Sequence, residues 1–180
     1  MPRDAERYWA TSAPVHQCLI PNTLFQQGMG NVSFSRLMPD GRIALGMFLL
    51  DVFCLGVKGG FFSILERYEY DARIRNWPGP ERLLPMTPAC FRKLVEGGVA
   101  YARDLGFEPH RDYDEAHQIF GDLETAGCTE HFEYGHEGKP LYISGPKETP
   151  ARAKAIVEQL RRRKGEGNFD FLMAVDGPEW

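Results

Sequence analysis

The sequence lacks the features that mark membrane, fibrous or disordered proteins. Its longest apolar stretch, Ile43 to Val57, carries Asp51 and is shorter than the ~20 residues that a membrane helix needs. No internal repeat or low-complexity tract occurs, and a net charge of -4 is not the basic balance of a non-specific nucleic-acid binder. What is present, 43% hydrophobic and 12% aromatic residues in a chain of 180, suffices for one folded core.

Cysteine is scarce, with four residues spread along the chain at Cys18, Cys54, Cys90 and Cys128. Most of them stand among apolar neighbours, where a free thiol behaves as a small hydrophobe. We therefore expect all four to be reduced, with no disulfides. The first ten residues are charged and contain no apolar run, unlike a secretory leader, so the predicted location is cytoplasmic.

The clearest strand signal lies between residues 32 and 57. Val32–Ser35 alternates apolar and polar side chains, Met38–Gly41 has the composition of a tight turn, and Ile43–Val57 is rich in strand-forming residues. This order predicts a β-hairpin. Because the second strand is apolar on both faces, we expect it to lie centrally in a sheet that is covered on both sides.

A helix is predicted directly after this hairpin. Gly59-Gly60 ends the strand, apolar residues then recur at helical spacing over residues 61–65, and the charged residues 66–75 follow. The next segment, Trp77 to Pro85, is interrupted by prolines and predicts a loop.

Two further helices begin at threonine-proline pairs. Thr87-Pro88 and Thr149-Pro150 each place an N-cap and a first-turn proline before a periodic apolar run. We expect both threonines to cap helices whose apolar stripes pack on one sheet. Gly97 and Gly98 lie inside the first of these helices, where close approach by another backbone would explain them.

The remaining signals complete an α+β fold. Residues 112–120 predict a short helix, 132–134 and 140–143 a second hairpin across 136–138, and 168–175 a closing strand. The expected architecture is a mostly antiparallel sheet built from two hairpins and a C-terminal strand, with helices packed mainly on one face. The expected organisation is an N-terminal arm (1–14), a single domain (15–175) and a C-terminal tail (176–180).

Asp51 is the most unusual single residue, because a carboxylate inside an apolar run destabilises the fold unless it is paired, hydrogen-bonded or protonated. We interpret it as a buried structural carboxylate that binds backbone N–H groups or an arginine such as Arg36. The alternative is an active-site acid or a metal ligand at the centre of the sheet. Lys58 and Gly59-Gly60 follow it and could bind an anion, although a plain turn is the favoured interpretation of the glycines.

The candidate catalytic residues are Asp51, Lys58, His110, Asp112 and His117. Together they would suit a small hydrolase or nuclease that acts on phosphodiesters, with a metal or Lys58 as the electrostatic stabiliser. This alternative requires Asp51 and His110 to line one cleft.

The sequence predicts neither a metal site nor a cofactor. Cys128, His131 and His136 are metal-ligand types, but no second pair of ligands at regular spacing accompanies them. No phosphate-binding or dinucleotide-binding glycine pattern occurs. We therefore expect the purified protein to contain no stoichiometric zinc.

The candidate partner-binding residues are Trp77 and the basic run Arg161, Arg162 and Arg163. Trp77 opens the proline-rich loop, and the arginines stand in the last turn of a helix, where cations complement its dipole. A protein partner is the favoured prediction, while the helix from Arg152 to Lys164 leaves nucleic acid open. No membrane partner is predicted.

Several segments together resemble a family of uncharacterised bacterial proteins. They are Pro39–Arg42, Asp51–Lys58, Leu105–His110, Ile119–Asp122, Gly138–Pro140 and Ser144–Pro146. The resemblance spans most of residues 15–175 and implies a bacterial, cytoplasmic, single-domain protein. It transfers no activity and no catalytic residue. With no complete catalytic motif present, the favoured function is that of a non-enzymatic accessory or partner-binding protein, and the hydrolase is the alternative.

Overall fold

A computed structural model describes residues 4–173 of the protein and confirms the α+β class. The helices are α1 (Asp4–Ser12), α2 (Leu24–Gln27), α3 (Arg67–Arg75), α4 (Pro88–Asp104), α5 (Tyr113–His117), which a 3-10 turn (Gln118–Phe120) continues, and α6 (Pro150–Lys164). The strands are β1 (Val15–Pro21), β2 (Met29–Leu37), β3 (Ile43–Asp51), β4 (Gly56–Leu65), β5 (Leu83–Pro85), β6 (Leu141–Ile143) and β7 (Asp170–Leu172).

The main sheet is antiparallel, with the strand order β4-β3-β2-β1-β5. Strands β1 to β4 form a meander in which each strand pairs with its successor. The predicted first hairpin is β2–β3, paired from Leu37 and Ile43 at the turn to Met29 and Asp51 at the far end. Strand β3 lies between two neighbours and is buried almost throughout, which confirms its expected central environment.

The helix predicted at residues 61–75 is wrong in its first part, because Gly56–Leu65 is strand β4. The chain leaves β3 at Asp51, turns at residues 52–55 and returns along β3, so the predicted long strand is two paired strands. The apolar residues at 61–65 fit the periodicity of a helix as well as that of a strand. Their pairing with β3 makes them a strand. The helical part is α3, which begins only at Arg67.

The predicted second hairpin is also wrong. A single bridge joins His136 and Lys139, and residues 132–134 form no strand. Strand β6 instead pairs in parallel with β7, where Tyr142 stands opposite Phe171. The turn residues indicated a reversal correctly, but Leu141–Ile143 pairs with β7 and not with residues 132–134. Residues 174 and 175 of the predicted closing strand lie outside the described residues.

One face of the sheet carries the largest core. Helix α4 and the 3-10 turn lay aromatic rings on the strands, and Phe34, Phe48, Phe91 and Phe120 contact one another there at centroid distances of 5.3–6.4 Å. All four rings are fully buried. Such ring pairs add to the hydrophobic gain of burial, so this layer fixes the position of α4 on the sheet.

Helix α4 makes the close backbone approach that its glycines predict. A Cβ on Gly56 would lie 2.8 Å from the carbonyl oxygen of Gly98, and Gly56 itself has a φ of +66°. A Cβ on Gly97 would overlap the Tyr134 hydroxyl, which donates to the Leu94 carbonyl at 2.8 Å. Glycine is required at Gly56 because the helix backbone lies against it, and at Gly97 because the Tyr134 ring occupies the space of a side chain.

The opposite face is covered by the shorter α3. Tyr70 packs on Ile43 and Leu45, and its hydroxyl lies 3.1 Å from the Ser35 hydroxyl. Ser33, on the same face, is fully buried, and its hydroxyl has no hydrogen-bond partner within residues 4–173.

Helix α6 does not pack on the main sheet, contrary to expectation. Its buried residues, Ala153, Ile156, Val157 and Leu160, form a second cluster with the end of α4, with Cys54 and Leu55, and with Tyr142 of β6. The Thr149 hydroxyl caps α6 by accepting the Arg152 N–H at 3.1 Å. Thr87 occupies the N-cap position of α4 with an extended backbone, but its side chain makes no capping bond.

A disulfide joins Cys90 of α4 to Cys128, so the expectation of four reduced cysteines is wrong for this pair. A turn in which the Cys128 N–H bonds to the Thr125 carbonyl brings the second cysteine to the helix. Their separation of 38 residues hides this contact from the sequence. Cys18 and Cys54 are free and buried, as expected.

Candidate functional site

Asp51 closes the 52–55 turn between β3 and β4. Its Oδ1 accepts the N–H groups of Phe53 at 2.9 Å and Cys54 at 3.0 Å, and its Oδ2 accepts that of Leu55 at 3.1 Å. The residue is only 7% exposed. Both carboxylate oxygens are therefore engaged by the backbone, which is the structural role that the sequence favoured.

Arg36, proposed as the alternative partner of Asp51, has another role. Its guanidinium donates to the carbonyls of Ala13 at 2.6 Å, Ile119 at 2.7 Å and Phe120 at 2.8 Å. It thereby joins the start of β1 to the 3-10 turn.

Burial raises the pKa of Asp51 to about 6, while the N–H groups of Leu55, Phe53 and Cys54 and the charge of Lys58 act to lower it. At pH 7 the carboxylate is thus mostly ionised. The three backbone donors stabilise this charge where water does not reach it.

A cleft of about 250 Å³ opens beside this turn and is the candidate site. Three parts of the chain form it: the first residues of β4 with Lys58, the segment Phe107–His110 that follows α4, and the first turn of α6 with Arg152. Glu148 lies at its wall, and Asp51 does not line it. The cleft therefore brings Lys58 and His110 together but leaves out the predicted acid.

Lys58 and Glu148 form an ion pair in the cleft, with 3.4 Å between Nζ and Oε1 and each side chain 18% exposed. The other oxygen of Glu148 accepts the Tyr142 hydroxyl and, at 3.1 Å, the Gly145 N–H. Burial would raise the pKa of Glu148, but these hydrogen bonds and Lys58 outweigh burial and lower it. Glu148 is therefore a fixed anion that positions Lys58.

His110 is tied to both the sheet and the next loop. Its backbone N–H donates to the Val57 carbonyl at 2.9 Å, and its ring Nδ1 accepts the backbone N–H of Asp112 at 3.2 Å. The Asp112 carboxylate lies 3.3 Å from the same nitrogen. Asp112 thus orients the His110 ring, although Asp112 itself does not line the cleft.

His117 lies elsewhere, on the α4 side of α5. Its Nε2 is 2.8 Å from Oε1 of Glu96, which also accepts Arg92 Nε at 2.8 Å. Its ring contacts Tyr113 and Phe120. The five candidate catalytic residues therefore do not converge on one point, as a shared active site would require.

The candidate partner-binding residues are engaged within the protein. Trp77 is half-buried against the cluster of Ile43, Leu45 and Met47 that α3 covers. The three arginines bond to near neighbours: Arg161 to Glu166 at 2.7 Å, Arg162 to Gln159 at 2.9 Å, and Arg163 to the Asp104 carbonyl at 2.7 Å. Arg163 in this way satisfies a carbonyl at the end of α4.

The outer edge of β4 is a feature that the sequence analysis missed. Strand β4 is ten residues long and ends the sheet on one side. The His110 N–H occupies its Val57 carbonyl, but residues 59–65 have no backbone partner on the outer edge in the described part of the chain. Most of these residues are partly buried, and Phe62 is buried.

The two sheet edges differ in how they are protected. Strand β5, at the other side, has three residues and includes Pro85, which cannot donate to a further strand. Strand β4 contains no proline, and its only charge is Lys58. Aromatic and aliphatic residues without proline or charge over 61–65 could have indicated such an edge from the sequence.

The described residues contain neither a cluster of metal-ligand side chains nor a helix that could cross a membrane. No group of three histidine, cysteine or acidic side chains there could hold a metal ion. Cys128, a candidate ligand in the sequence, is in the disulfide. None of the described helices has both the length and the apolar character needed to cross a bilayer.

Comparison with protein-family models, curated proteins and solved structures found no match to this chain.

Proposed function

We propose that the protein is a non-catalytic binding protein whose partner is another protein, held as an added strand on the outer edge of β4. The observation that carries this proposal is the proline-free edge at residues 59–65, which has no backbone partner among residues 4–173. Natural sheets protect their edges with short strands, prolines or charges, as β5 does here. A long edge without this protection is suited to pairing with an extended segment of a partner.

The arrangement of the polar residues supports binding over hydrolysis. Asp51 uses both oxygens on backbone donors, and His117 lies away from the cleft on Glu96. A phosphodiester hydrolase would need a free carboxylate and a histidine within reach of one reacting atom.

The charge distribution supports a protein partner over nucleic acid. The chain has a net charge of -4, and the basic turn of α6 is engaged with Glu166, Gln159 and the Asp104 carbonyl. Nucleic-acid binding needs cations that are free to contact phosphates. The surface around Trp77 is a weaker candidate than the β4 edge, since the indole packs on the sheet.

A bacterial source and a cytoplasmic location remain predictions from the sequence. The Cys90–Cys128 disulfide argues against the cytoplasm, because stable disulfides are rare in reducing compartments. We infer that the protein works where this disulfide persists.

Selection from a random linear peptide library tests the proposal. Enriched peptides are synthesised, and hydrogen exchange of the full chain is compared with and without peptide. We expect slower exchange at residues 59–65 and no change in β5. Failure to enrich any peptide, or protection confined to another surface, would contradict the proposal.

Two proline variants, Ser63→Pro and Ile64→Pro, locate the edge by mutation. Successive residues of β4 direct their N–H groups alternately towards β3 and outwards, so one variant breaks the sheet and the other only the outer edge. We expect the variant with the smaller loss in Tm to lose peptide binding. Retained binding in that folded variant would overturn the proposal. So would a concentration-dependent dimer in sedimentation that only that variant abolishes, because the edge would then serve self-association.

A further inference from the structure

We propose that the cleft of Lys58, His110 and Arg152 binds the C-terminal carboxylate of the segment that pairs with β4. This inference rests on the proposed function and specifies which part of the partner is recognised. It depends on three observations: the position of the cleft, the charges that line it, and the apolar surface beside those charges.

The cleft lies where a strand paired with β4 must stop. A strand added antiparallel to β4 runs from Leu65 towards Gly59, so its C-terminal end arrives at Lys58. Beyond that point the His110 N–H already occupies the Val57 carbonyl, and the segment 107–110 closes the edge. A chain that ends there fits this boundary better than a chain that continues.

The charges in the cleft suit an anion. Glu148 neutralises Lys58, and Glu108 is paired with Arg103 at 3.0 Å. The Arg152 guanidinium, by contrast, makes no hydrogen bond or ion pair with any residue that the structure describes. It stands in the first turn of the fifteen-residue α6, where the helix dipole favours negative charge. Arginine binds a carboxylate through two parallel N–H bonds, which gives this group a natural ligand.

Apolar residues next to these charges indicate the last side chain of the ligand. Leu55, Val57, Phe107 and Pro109 line the same cleft as Arg152 and His110. A carboxylate bound by Arg152 would therefore place an apolar terminal residue against them. The expected ligand is a protein C-terminus with an aliphatic or aromatic last residue, preceded by an extended segment.

A peptide library displayed with free C-termini provides the test. Each enriched peptide is synthesised as the free acid and as the C-terminal amide, and Kd is measured for both by fluorescence anisotropy. We expect amidation to weaken binding at least about tenfold, as expected when a charge-assisted hydrogen bond is lost. Equal affinity of acid and amide would overturn the inference.

The variant Arg152→Gln assigns the effect to the cleft, with Lys154→Gln, which removes an exposed cation from the same helix outside the cleft lining, as the matched control. We expect Arg152→Gln to bind acid and amide equally, whereas the control discriminates as the wild type does. Full discrimination by Arg152→Gln would contradict the inference. If amidation has no effect while residues 59–65 remain protected by the peptide, the carboxylate site fails and edge binding stands. If the peptides do not protect residues 59–65 at all, both the carboxylate site and edge binding are rejected.

Discussion

Four polar residues are buried in the main sheet or at its end, and they differ in how their hydrogen bonds are satisfied. Asp51 and Arg36 bond to the backbone, and Ser35 bonds to Gln17 and Tyr70. Ser33 has no partner within the described chain. Because an unsatisfied buried group destabilises a fold while a satisfied one contributes to it, these residues should respond to substitution in opposite directions.

Removal of the Asp51 side chain should destabilise the protein strongly. In Asp51→Ala the N–H groups of Phe53, Cys54 and Leu55 lose their acceptor in a buried turn. We expect the free energy of unfolding to fall by about 3 kcal/mol, measured by urea denaturation. The exposed Asp71→Ala, which breaks only a surface pair, is the control and should change stability by less than about 0.5 kcal/mol. Wild-type stability in Asp51→Ala would refute the structural role.

Two serines on the same face of β2 form a matched pair for the opposite effect. Ser33→Ala removes a buried hydroxyl that lacks a partner, so we expect stability to rise by about 1 kcal/mol. Ser35→Ala removes the acceptor of the Gln17 N–H and should lower stability by a similar amount. Thermal melts of both variants check these signs, and a loss in Ser33→Ala would show that its hydroxyl is satisfied.

At the scale of single residues, the sequence identifies unusual residues but not the groups that they contact. Asp51 was recognisable because a carboxylate interrupts an apolar run. Its acceptor role depends on the 52–55 turn, which was hidden inside a stretch that looks like one continuous strand. Glu148 carried no signal and Arg152 only that of a basic helix, since their proximity to Lys58 arises only when α6 docks near the start of β4.

Among the elements, β4 depends on its first residue. Gly56 has a positive φ, and a Cβ at this position would lie 2.8 Å from the carbonyl oxygen of Gly98 in α4. Gly56→Ala should therefore lower the free energy of unfolding by about 2 kcal/mol through strain and overlap. Gly59→Ala is the control in the same strand, because the nearest atom to its new Cβ is 3.9 Å away. Comparable stability of the two variants would contradict this account of the strand-helix contact.

The Cys90–Cys128 disulfide links α4 to the 121–135 segment. Cys90→Ser combined with Cys128→Ser should lower stability by about 2–4 kcal/mol, since the unfolded chain loses a cross-link. Alkylation of the denatured, unreduced protein should label Cys18 and Cys54 alone, as intact mass will show. Four labelled cysteines would mean that the bond is absent from the purified protein.

Helices were more predictable than strands because their signals are local. Thr87-Pro88 and Thr149-Pro150 mark helix starts within a few residues. Strand pairing depends on distant partners: β6 pairs with β7 across the whole of α6. The apolar residues of β4 could form a helix in isolation, and only the neighbouring β3 makes them a strand.

The molecule as a whole contains cores of unequal strength. The core beneath α4 includes residues of strands β1 to β4, whereas the cluster around α6 includes a residue of only one strand, Tyr142 of β6, and β7 is exposed throughout. Local opening follows such differences in burial. We expect hydrogen exchange to be slowest in β2 and β3 and measurably faster in α6 and β7. Equal protection of both regions would show one cooperative unit.

The strand order has a consequence for folding during synthesis. Strands β1 to β4 pair with their sequence neighbours through short connections, so this meander has low contact order and can form early. Strand β1, however, is completed only by β5, whose Leu83 pairs with Pro21. Until that segment leaves the ribosome, the nascent sheet has two open edges. The residues between β4 and β5, 66–82, therefore define the interval of synthesis in which the chain is most exposed to wrong strand pairing.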